Sequence, residues 1–511
     1  MYSLRTTKTS SGATAVQIVR YKDRKKIIVK HIGSAHTPEE LASLMQLAHI
    51  WIEQTTRQQP LFKSARKQSA TLLPLDKSEY LGVRYTFIYD ALTQLFRLFG
   101  FHKFQNQLLL DLVLMRIIQP VSKLESLEYL SEMFGIQYGK SSLYEAIKLF
   151  PTLKTTVEEK VVSFAGEHYQ FDFSIVFYDV TTLYFESFTQ DEDTIDEKGE
   201  TMKGLRKNGF SKDNKSNQPQ IVIGLIVTKE GFPVAYDVFA GNTFEGKTFI
   251  PTITKFKATH AVKKLTIVAD AAMISFDNIE KLKEQQLSYI VGARVANLKL
   301  AQMRQIKKDL EDVDGRSMRI ETERGLLICD FSLKRYQKDK REMEKQIIKA
   351  EKLLEKNEGM KRTKFLMNKD KKKTEQIINT DLVEKTKLLL GVKGYYTNLT
   401  EETNKIIIDY YHNLWHVEKA FRIAKSDLAM RPIYHFKKQT IEAHILICFM
   451  ALAVCKYMEL QTGKSTKRII KLFKSITEAR IKNLLTNEEI IMRMKLPEEV
   501  EELWKTLSPR Y

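Results

Sequence analysis

The sequence contains few cysteines and no long apolar run. Only three of its 511 residues are cysteine, and Cys329, Cys448 and Cys455 are widely spread or embedded in an apolar helical pattern. This distribution argues against a disulfide framework and a thiolate metal site, and it fits a reducing cytosol. The most apolar stretch, Ile445 to Cys455, is about half of the ~20 residues needed to span a bilayer. The polar opening "MYSLRTTKTSSG" does not resemble a signal peptide, so we expect a soluble cytoplasmic protein.

Motifs of several enzyme classes are also missing. The glycines form no phosphate loop of the GxxxxGK[ST] type, so no nucleotide cofactor is expected. His412 and His416 are four positions apart but lack the HExxH arrangement of a zinc enzyme. These absences leave nucleotide hydrolysis and zinc catalysis without a motif.

Positive charge is abundant. The chain has 82 Lys and Arg against 63 Asp and Glu, a formal net charge of +19 and a pI near 9.4. Lys and Arg that neutralise phosphates release counterions and gain affinity, so nucleic acid is the leading partner and an anionic membrane the second. With 43% hydrophobic residues, the chain has material for several globular cores.

The N-terminal residues, 1–60, are predicted to form a β-hairpin and a helix. The strands are expected near Thr14–Arg20 and Lys26–Gly33, on either side of a charged turn. A helix from Pro38 to about Gln58 is expected to begin at Thr37 as N-cap, with Glu40 at the third helical position.

Residues 61–170 are predicted to be helical and to bind DNA. Within them, Ser122 to Phe150 predicts a helix, a break containing glycine, a Ser-Ser cap and a second helix. That order is typical of a helix-turn-helix DNA reader, and an ordinary helical bundle is the alternative.

The pattern changes at Ser174. Residues 171–298 predict a strand, a hairpin, a helix, a strand, a helix and a strand in that order, which indicates a mixed sheet with flanking helices. Residues 299–405 predict short strands at Glu321–Phe331 and Leu388–Thr400 with a charged helix between them. Residues 406–463 are predicted to be helical, and 464–511 to form a helical tail.

Two aspartates occupy unusual places in this pattern. Asp179 interrupts the apolar strand "SIVFYDVTTLYF", and Asp270 ends the apolar strand "KKLTIVAD". Carboxylates side by side at the same end of neighbouring strands repel each other unless a cation neutralises them. Hard oxygen ligands suit Mg²⁺ or Mn²⁺, and two such ions can activate a water or a 3′-hydroxyl at a phosphodiester.

A late helix, "YYHNLWHVEKAFRIAKSDL", offers a third carboxylate, Glu418. We expect six residues on one face of this helix, since they recur at offsets of three, four and seven. They are Tyr411, Leu414, Trp415, Glu418, Arg422 and Lys425. An i, i+4 salt bridge between Glu418 and Arg422, or an aromatic core face, is the alternative.

Together these residues resemble the DDE transposases of bacterial insertion sequences. "YDVTTLYFES" and "IVADAAMIS" are similar to the first and second aspartate motifs of a long-chain subgroup of the IS-four superfamily. The superfamily signature of Tyr, Arg, Glu and Lys matches Tyr411, Glu418 and Lys425, but Leu414 stands at the arginine position. "GFSKD", "QIVIGL" and "RPIYH" are further similarities.

The resemblance implies an α/β protein with a ribonuclease H-like core, interrupted by a β-rich insertion with a charged helical arm. It implies that Asp179, Asp270 and Glu418 hold two Mg²⁺ or Mn²⁺ ions and catalyse hydrolysis and strand transfer at terminal inverted repeats. A homodimer would hold two DNA ends at the bacterial nucleoid. A nuclease without strand transfer and an inactive DNA-binding regulator are the alternatives.

DNA contacts are predicted at six residues. They are Tyr411, Trp415, Arg422, Lys425, Arg206 and Lys212. Arg422 is expected to reach the phosphates that Leu414 cannot contact.

Overall fold

The computed structural model describes residues 2–22, 25–56, 77–195, 201–273, 275–355, 363–368, 376–484 and 487–508. The described chain forms two compact units. One contains residues from 1–93, 127–137 and 468–508, and the other contains residues from 94–126 and 138–467. The predicted α/β class is confirmed, because a large mixed sheet is combined with many helices.

The strands and helices are numbered in chain order. The strands are β1 Tyr2–Lys8, β2 Thr14–Lys22, β3 Lys25–Ala35, β4 Ser78–Arg84, β5 Ile175–Tyr184, β6 Thr194–Ile195, β7 Thr201–Met202, β8 Gln220–Val227, β9 Pro233–Ala240, β10 Thr266–Ala269, β11 Ser288–Ala293, β12 Ser317–Thr322, β13 Gly325–Phe331, β14 Leu366–Asn368, β15 Gln376–Ile378, β16 Val392–Thr397, β17 Glu478–Asn483 and β18 Glu489–Arg493. The helices are α1 Pro38–Thr56, α2 Thr86–Leu98, α3 Gln107–Ile118, α4 Lys123–Tyr129, α5 Lys140–Ala146, α6 Lys154–Tyr169, α7 Gly246–Thr259, α8 Phe276–Glu284, α9 Leu300–Leu310, α10 Leu333–Glu355, α11 Thr380–Leu388, α12 Asn404–His412, α13 Trp415–Arg422, α14 Lys438–Thr462, α15 Thr466–Lys474 and α16 Glu498–Leu507.

The larger unit is built on an eight-stranded sheet in the order β12-β13-β16-β11-β10-β5-β8-β9. Strand β10 is parallel to both β5 and β11, and the other neighbouring strands are antiparallel. The predicted succession of strands and helices from β5 to β11 is confirmed. Because β10 is parallel to β5 and Ala269 is opposite Tyr178, the C-terminal end of β10 lies beside the middle of β5, which positions the candidate site.

The predicted insertion, 299–405, does not form a separate β unit. Its strands β12, β13 and β16 extend the eight-stranded sheet beyond β11. The predicted charged helix is present as α10, and apolar residues on one side of it are buried. Met343 and Ala350 are buried against Phe365 and Leu390.

The smaller unit begins with the antiparallel sheet β1-β2-β3. The hairpin β2-β3 and helix α1 were predicted, whereas β1 was not; residues 23–24 of the turn and 57–58 of the predicted helix lie outside the described residues. Thr37 Oγ1 accepts a hydrogen bond from the amide of Glu40, whose carboxylate accepts one from the amide of His36, so the predicted cap is confirmed.

The C-terminal residues contain strands as well as helices. Strands β17 and β18 form a three-stranded sheet with β4, and β17 pairs with β4 in antiparallel register. The predicted all-helical character of 61–170 and 464–511 is therefore wrong at β4, β17 and β18. In the predicted helix-turn-helix segment, α4 and α5 are present on either side of Gly135, and the DNA-reading role stays a prediction.

Helix α14 is the core helix of the larger unit. In the described part of the chain it is the one helix long and apolar enough to cross a membrane, but 94% of its most apolar window is buried by the rest of the protein. It packs on α3 and on β9. Its apolar character is therefore explained by a core position.

Candidate active site

Asp179 is the half-buried residue at the centre of an otherwise buried strand. In β5 the neighbours Phe177, Tyr178 and Val180 are almost completely buried. Burial raises the pKa of the Asp179 carboxyl to about 6, and the charges of Asp270 and Glu245 act in the same direction. The positive charge of Lys212 opposes the effect of burial and lowers this pKa.

Asp270 lies next to Asp179 because of the strand register. Strand β10 pairs with β5 so that Ala269 is opposite Tyr178, and the residue after each of these is an aspartate. Asp270 is exposed, since β10 ends at Ala269. The structure therefore brings together the two strand carboxylates, as the sequence predicts.

Tyr411 connects the strand acids to the late helical segment. Its hydroxyl donates a hydrogen bond to Asp270 Oδ1 at 3.1 Å. Burial, followed by the charges of Asp270, Asp179 and Glu418, raises the pKa of Tyr411 well above its ordinary value. The negative charges of all three predicted catalytic acids therefore act on the Tyr411 hydroxyl.

Glu418 lies on α13, which contacts β5 and β8. The helix predicted to run through Tyr411, Glu418 and Lys425 is not continuous: α12 ends at His412, α13 begins at Trp415, and a π-helical turn covers Ile423–Asp427. The expectation of one shared face is therefore wrong.

The six residues of the predicted face have different environments. Tyr411 and Leu414 are buried, whereas Trp415 is 50% exposed. Glu418 and Arg422 are exposed as well, and Lys425 is half-buried. The exposed side chains are the ones that can meet a ligand.

The acids fit a divalent cation in part. Two adjacent carboxylates supply hard oxygen ligands, and burial disfavours the ionised form of Asp179, which a cation would favour. Among the residues that the structure describes, however, no group of three or more His, Cys, Asp or Glu is close enough to hold a metal. Glu418 has to approach the strand pair to complete such a site.

Three of the predicted DNA-binding cations are engaged within the protein. Arg206 is buried and paired with Asp191, with Nε 2.6 Å from Oδ1, and its role as a phosphate contact stays a prediction. Lys212 Nζ lies 2.9 Å from a carboxylate oxygen of Glu245 and donates to the carbonyl oxygen of Val180 at 2.6 Å.

Lys425 is also paired. Its Nζ lies 3.5 Å from Asp213 Oδ2, and Arg431 pairs with the same carboxylate. Lys425 and Asp213 are 212 positions apart, so no local spacing indicates their contact. Arg422, by contrast, is exposed, and no ion pair is found for it within the described part of the chain.

Sequence reasoning missed Glu245 and Lys393. Glu245 directly precedes α7, and its charge reaches Asp179. Lys393 lies on β16, with Nζ 4.5 Å from the centroid of the Tyr411 ring. Neither residue belongs to a motif that can be recognised in the sequence. Only the order of the strands in the sheet brings them near the acids.

The family of this chain follows from a comparison with known protein families. Residues 171–454, more than half of the chain, match the transposase DDE domain family, and the chain therefore belongs to that family. The matched range contains both strand aspartates and Glu418. Members of this family are transposases, enzymes that cut and transfer DNA.

Similar solved structures are also transposases. A cryo-EM structure of the piggyBac transposase synaptic complex with hairpin DNA matches at 10% identity over 72% of this chain and 70% of that chain, with a TM-score of 0.36. A Mos1 transposase paired-end complex with the left transposon end matches at 16% identity over 33% and 50%, with a TM-score of 0.15. No curated protein matches significantly.

Proposed function

We propose that this protein is the DNA transposase of a bacterial insertion sequence of the IS-four superfamily. It binds the terminal inverted repeats of the element, cuts at the element ends and joins the freed ends to target DNA. Asp179, Asp270 and Glu418 are its catalytic acids. The observation that carries the proposal is the side-by-side placement of Asp179 and Asp270 on parallel strands, with Tyr411 between them and the helix of Glu418.

The chemistry needs divalent cations. Asp179 and Asp270 would hold Mg²⁺ or Mn²⁺, with Glu418 completing the site for a second ion. When bound, two such ions activate the attacking oxygen and stabilise the leaving oxygen of a phosphodiester. Tyr411 orients the Asp270 carboxylate through its 3.1 Å hydrogen bond. Strand transfer needs no nucleotide cofactor, because each transesterification conserves the phosphodiester.

DNA binding is supported by a basic stripe along α10. Six basic residues recur at spacings of four, three, four, four and three positions, so they share one face of the helix. They are Lys334, Lys338, Arg341, Lys345, Lys349 and Lys352. All six are exposed, and the stripe is roughly 27 Å long at ~1.5 Å per residue. The opposite face is the buried one, so the basic stripe is directed to solvent.

The catalytic proposal is tested with neutral variants of the acids. Asp179→Asn, Asp270→Asn and Glu418→Gln are expected to bind a duplex of the terminal repeat and to lose Mg²⁺-dependent nicking by at least ~10³-fold, since a metal ligand is removed. Glu284→Gln, an exposed acid on α8, is the matched control and should cut normally. Nicking by all three acid variants at the wild-type rate would refute the site.

A nuclease without strand transfer and an inactive regulator predict other results. Pre-cleaved ends and a target plasmid are supplied together with Mg²⁺, and joined products are scored by sequencing. A transposase joins the two, whereas a nuclease only cuts. A regulator neither cuts nor joins DNA, and its function is unaffected by Asp179→Asn.

The basic stripe is tested by the salt dependence of DNA affinity. Replacing all six residues by Gln should reduce the slope of log affinity against log salt by up to about 5, at ~0.9 for each phosphate contact. Replacing Lys281 and Lys283, which are exposed on α8, should leave the slope unchanged. An unchanged slope in the six-residue variant would exclude the stripe as a DNA contact.

Two copies of the protein are proposed to hold the two ends of the element in the cytoplasm, at the nucleoid. Light scattering of the protein with a terminal-repeat duplex tests this assembly: a complex of two chains and two duplexes is expected. A complex of one chain with one duplex would contradict it.

A further inference from the structure

Lys393 is a partly buried cation beside the Tyr411 ring of the candidate site, and Arg335 is a second partly buried cation close enough for its charge to act on Lys393. Lys393 lies on β16, and its Nζ is 4.5 Å from the ring centroid of Tyr411 and 5.8 Å from that of Tyr395. The Tyr411 hydroxyl in turn contacts Asp270. Arg335 lies in the first turn of α10, the helix that directly follows β13, the neighbour of β16. The sheet therefore brings Lys393 to the Asp270 side of the site, and the charge of Arg335 acts on Lys393 and Tyr395.

Neither cation has an ion-pair partner among the described residues. No carboxylate there lies within 4.0 Å of Lys393 or Arg335. The charges of Asp330, Asp270 and Glu418 reach Lys393 only from a longer distance, and Asp330 already accepts a hydrogen bond from Tyr395 at 2.8 Å. Burial, together with the charge of Arg335, lowers the pKa of Lys393. A partly desolvated cation without a close counter-charge is an anion-binding group.

Two other lysines near the acids already have ion-pair partners and are therefore not free to bind an anion. Lys212 is paired with Glu245, and Lys425 is paired with Asp213. When a divalent cation neutralises Asp270 and Glu418, their fields no longer balance Lys393. Asp330, the cross-strand neighbour of Lys393, still acts on it from a distance, and a substrate phosphate would supply a close counter-charge.

We propose that Lys393 and Arg335 bind a phosphate of the DNA strand at the cleavage position, on the Asp270 and Glu418 side of the site. This inference rests on the proposed function, because the anion is taken to be the DNA backbone. Lys393 serves as a point charge, and the Arg335 guanidinium can bind two phosphate oxygens at once. Together they would hold the strand at the acids, and Lys334, the first residue of the basic stripe of α10, directly precedes Arg335.

The test measures binding of a duplex that carries the terminal repeat, in Ca²⁺ to prevent cutting. Single phosphates at and next to the cleavage position are replaced, one duplex at a time, by neutral methylphosphonates. Lys393→Gln and Arg335→Gln should each weaken binding of the unmodified duplex roughly 10-fold, as expected for a charge-assisted hydrogen bond. On the duplex whose contacted phosphate is a neutral methylphosphonate, the same substitutions should weaken binding by less than about 2-fold. The negative charge that Lys393 or Arg335 would contact is already missing from that duplex.

Lys281→Gln, an exposed lysine of α8, is the control and should bind every duplex like the wild type. The same loss on all duplexes, or no loss, would overturn the proposal. A loss confined to Mg²⁺ affinity would also overturn it, because Lys393 would then be only a counter-ion of the acids.

A separate measurement distinguishes failure of the phosphate site from failure of the transposase function. If the wild type does not bind the terminal-repeat duplex, the proposed function fails, and inorganic phosphate becomes the probe. A thermal midpoint that phosphate raises in the wild type but not in Lys393→Gln would support the phosphate site alone. No rise in the wild type would overturn the site as well.

Discussion

Replacing Asp179 by asparagine should stabilise the metal-free protein while abolishing DNA cutting. Burial raises the pKa of this carboxyl from 3.8 to about 6. Between these values the folded state binds the proton more tightly than the unfolded state, so stability is lost as the pH rises from about 4 to about 6. At ~1.36 kcal/mol for each step of one in pKa, the ionised carboxylate costs the fold up to about 3 kcal/mol at pH 8. Asparagine carries no charge and avoids this cost.

The assay is urea denaturation in EDTA at several pH values. Asp179→Asn should exceed the wild type in unfolding free energy by up to about 3 kcal/mol at pH 8 and should approach it near pH 4. Asp277→Asn, an exposed acid in an i, i+4 pair with Lys281, is the control and should change stability by less than about 1 kcal/mol. Saturating Mg²⁺ should stabilise the wild type and reduce the difference in unfolding free energy between Asp179→Asn and the wild type.

Two results would refute this reasoning. One is an Asp179→Asn protein that is less stable than the wild type at pH 8. The other is a stability difference that does not change with pH. Either would mean that the carboxylate is well compensated in the metal-free fold, and that a divalent cation is not needed to neutralise it.

Two glycine substitutions test the packing around the acids. In Gly292→Ala the new Cβ would lie 2.5 Å from the Tyr411 hydroxyl, so the hydrogen bond to Asp270 should break and nicking should fall roughly 10-fold, as for a lost charge-assisted hydrogen bond. Tyr411→Phe should lose a similar factor, and wild-type nicking by Gly292→Ala would contradict the assigned role. In Gly224→Ala the new Cβ would lie too close to the hydroxyl of buried Tyr178. This overpacking should lower the unfolding free energy, measured in urea, by about 1–3 kcal/mol. An unchanged urea midpoint would contradict this prediction.

The core of the fold was predictable because its strands are marked locally. Buried strands β5, β8 and β10 are short runs rich in Val and Ile, and a carboxylate within or after such a run stands out. Parallel strands share an end of the sheet, so the proximity of Asp179 and Asp270 was predictable as well. The N-cap at Thr37 and the apolar stripe of α10 were equally local signals.

The failures concern features that local pattern does not specify. Strands β4, β17 and β18 are short and partly exposed, so their period-2 signal is weak, and β4 pairs with a strand almost 400 positions later. The break between α12 and α13 was missed because the spacing of Tyr411, Leu414 and Glu418 is also compatible with one continuous helix. At the break, the amides of Leu414, His416 and Val417 donate to carbonyl oxygens three residues earlier, in place of the bonds to the fourth residue back that a continuous α-helix makes.

The sequence by itself determined the family, the positions of two acidic residues on neighbouring strands of a sheet, and the excess of positive charge. These depend on residue type and short-range order, which the chain carries along its length. Only the tertiary structure decided which cations remain available to a ligand. Arg206, Lys212 and Lys425 are neutralised by carboxylates that packing brings to them, whereas Lys393 lies over the Tyr411 ring because β16 joins the central sheet.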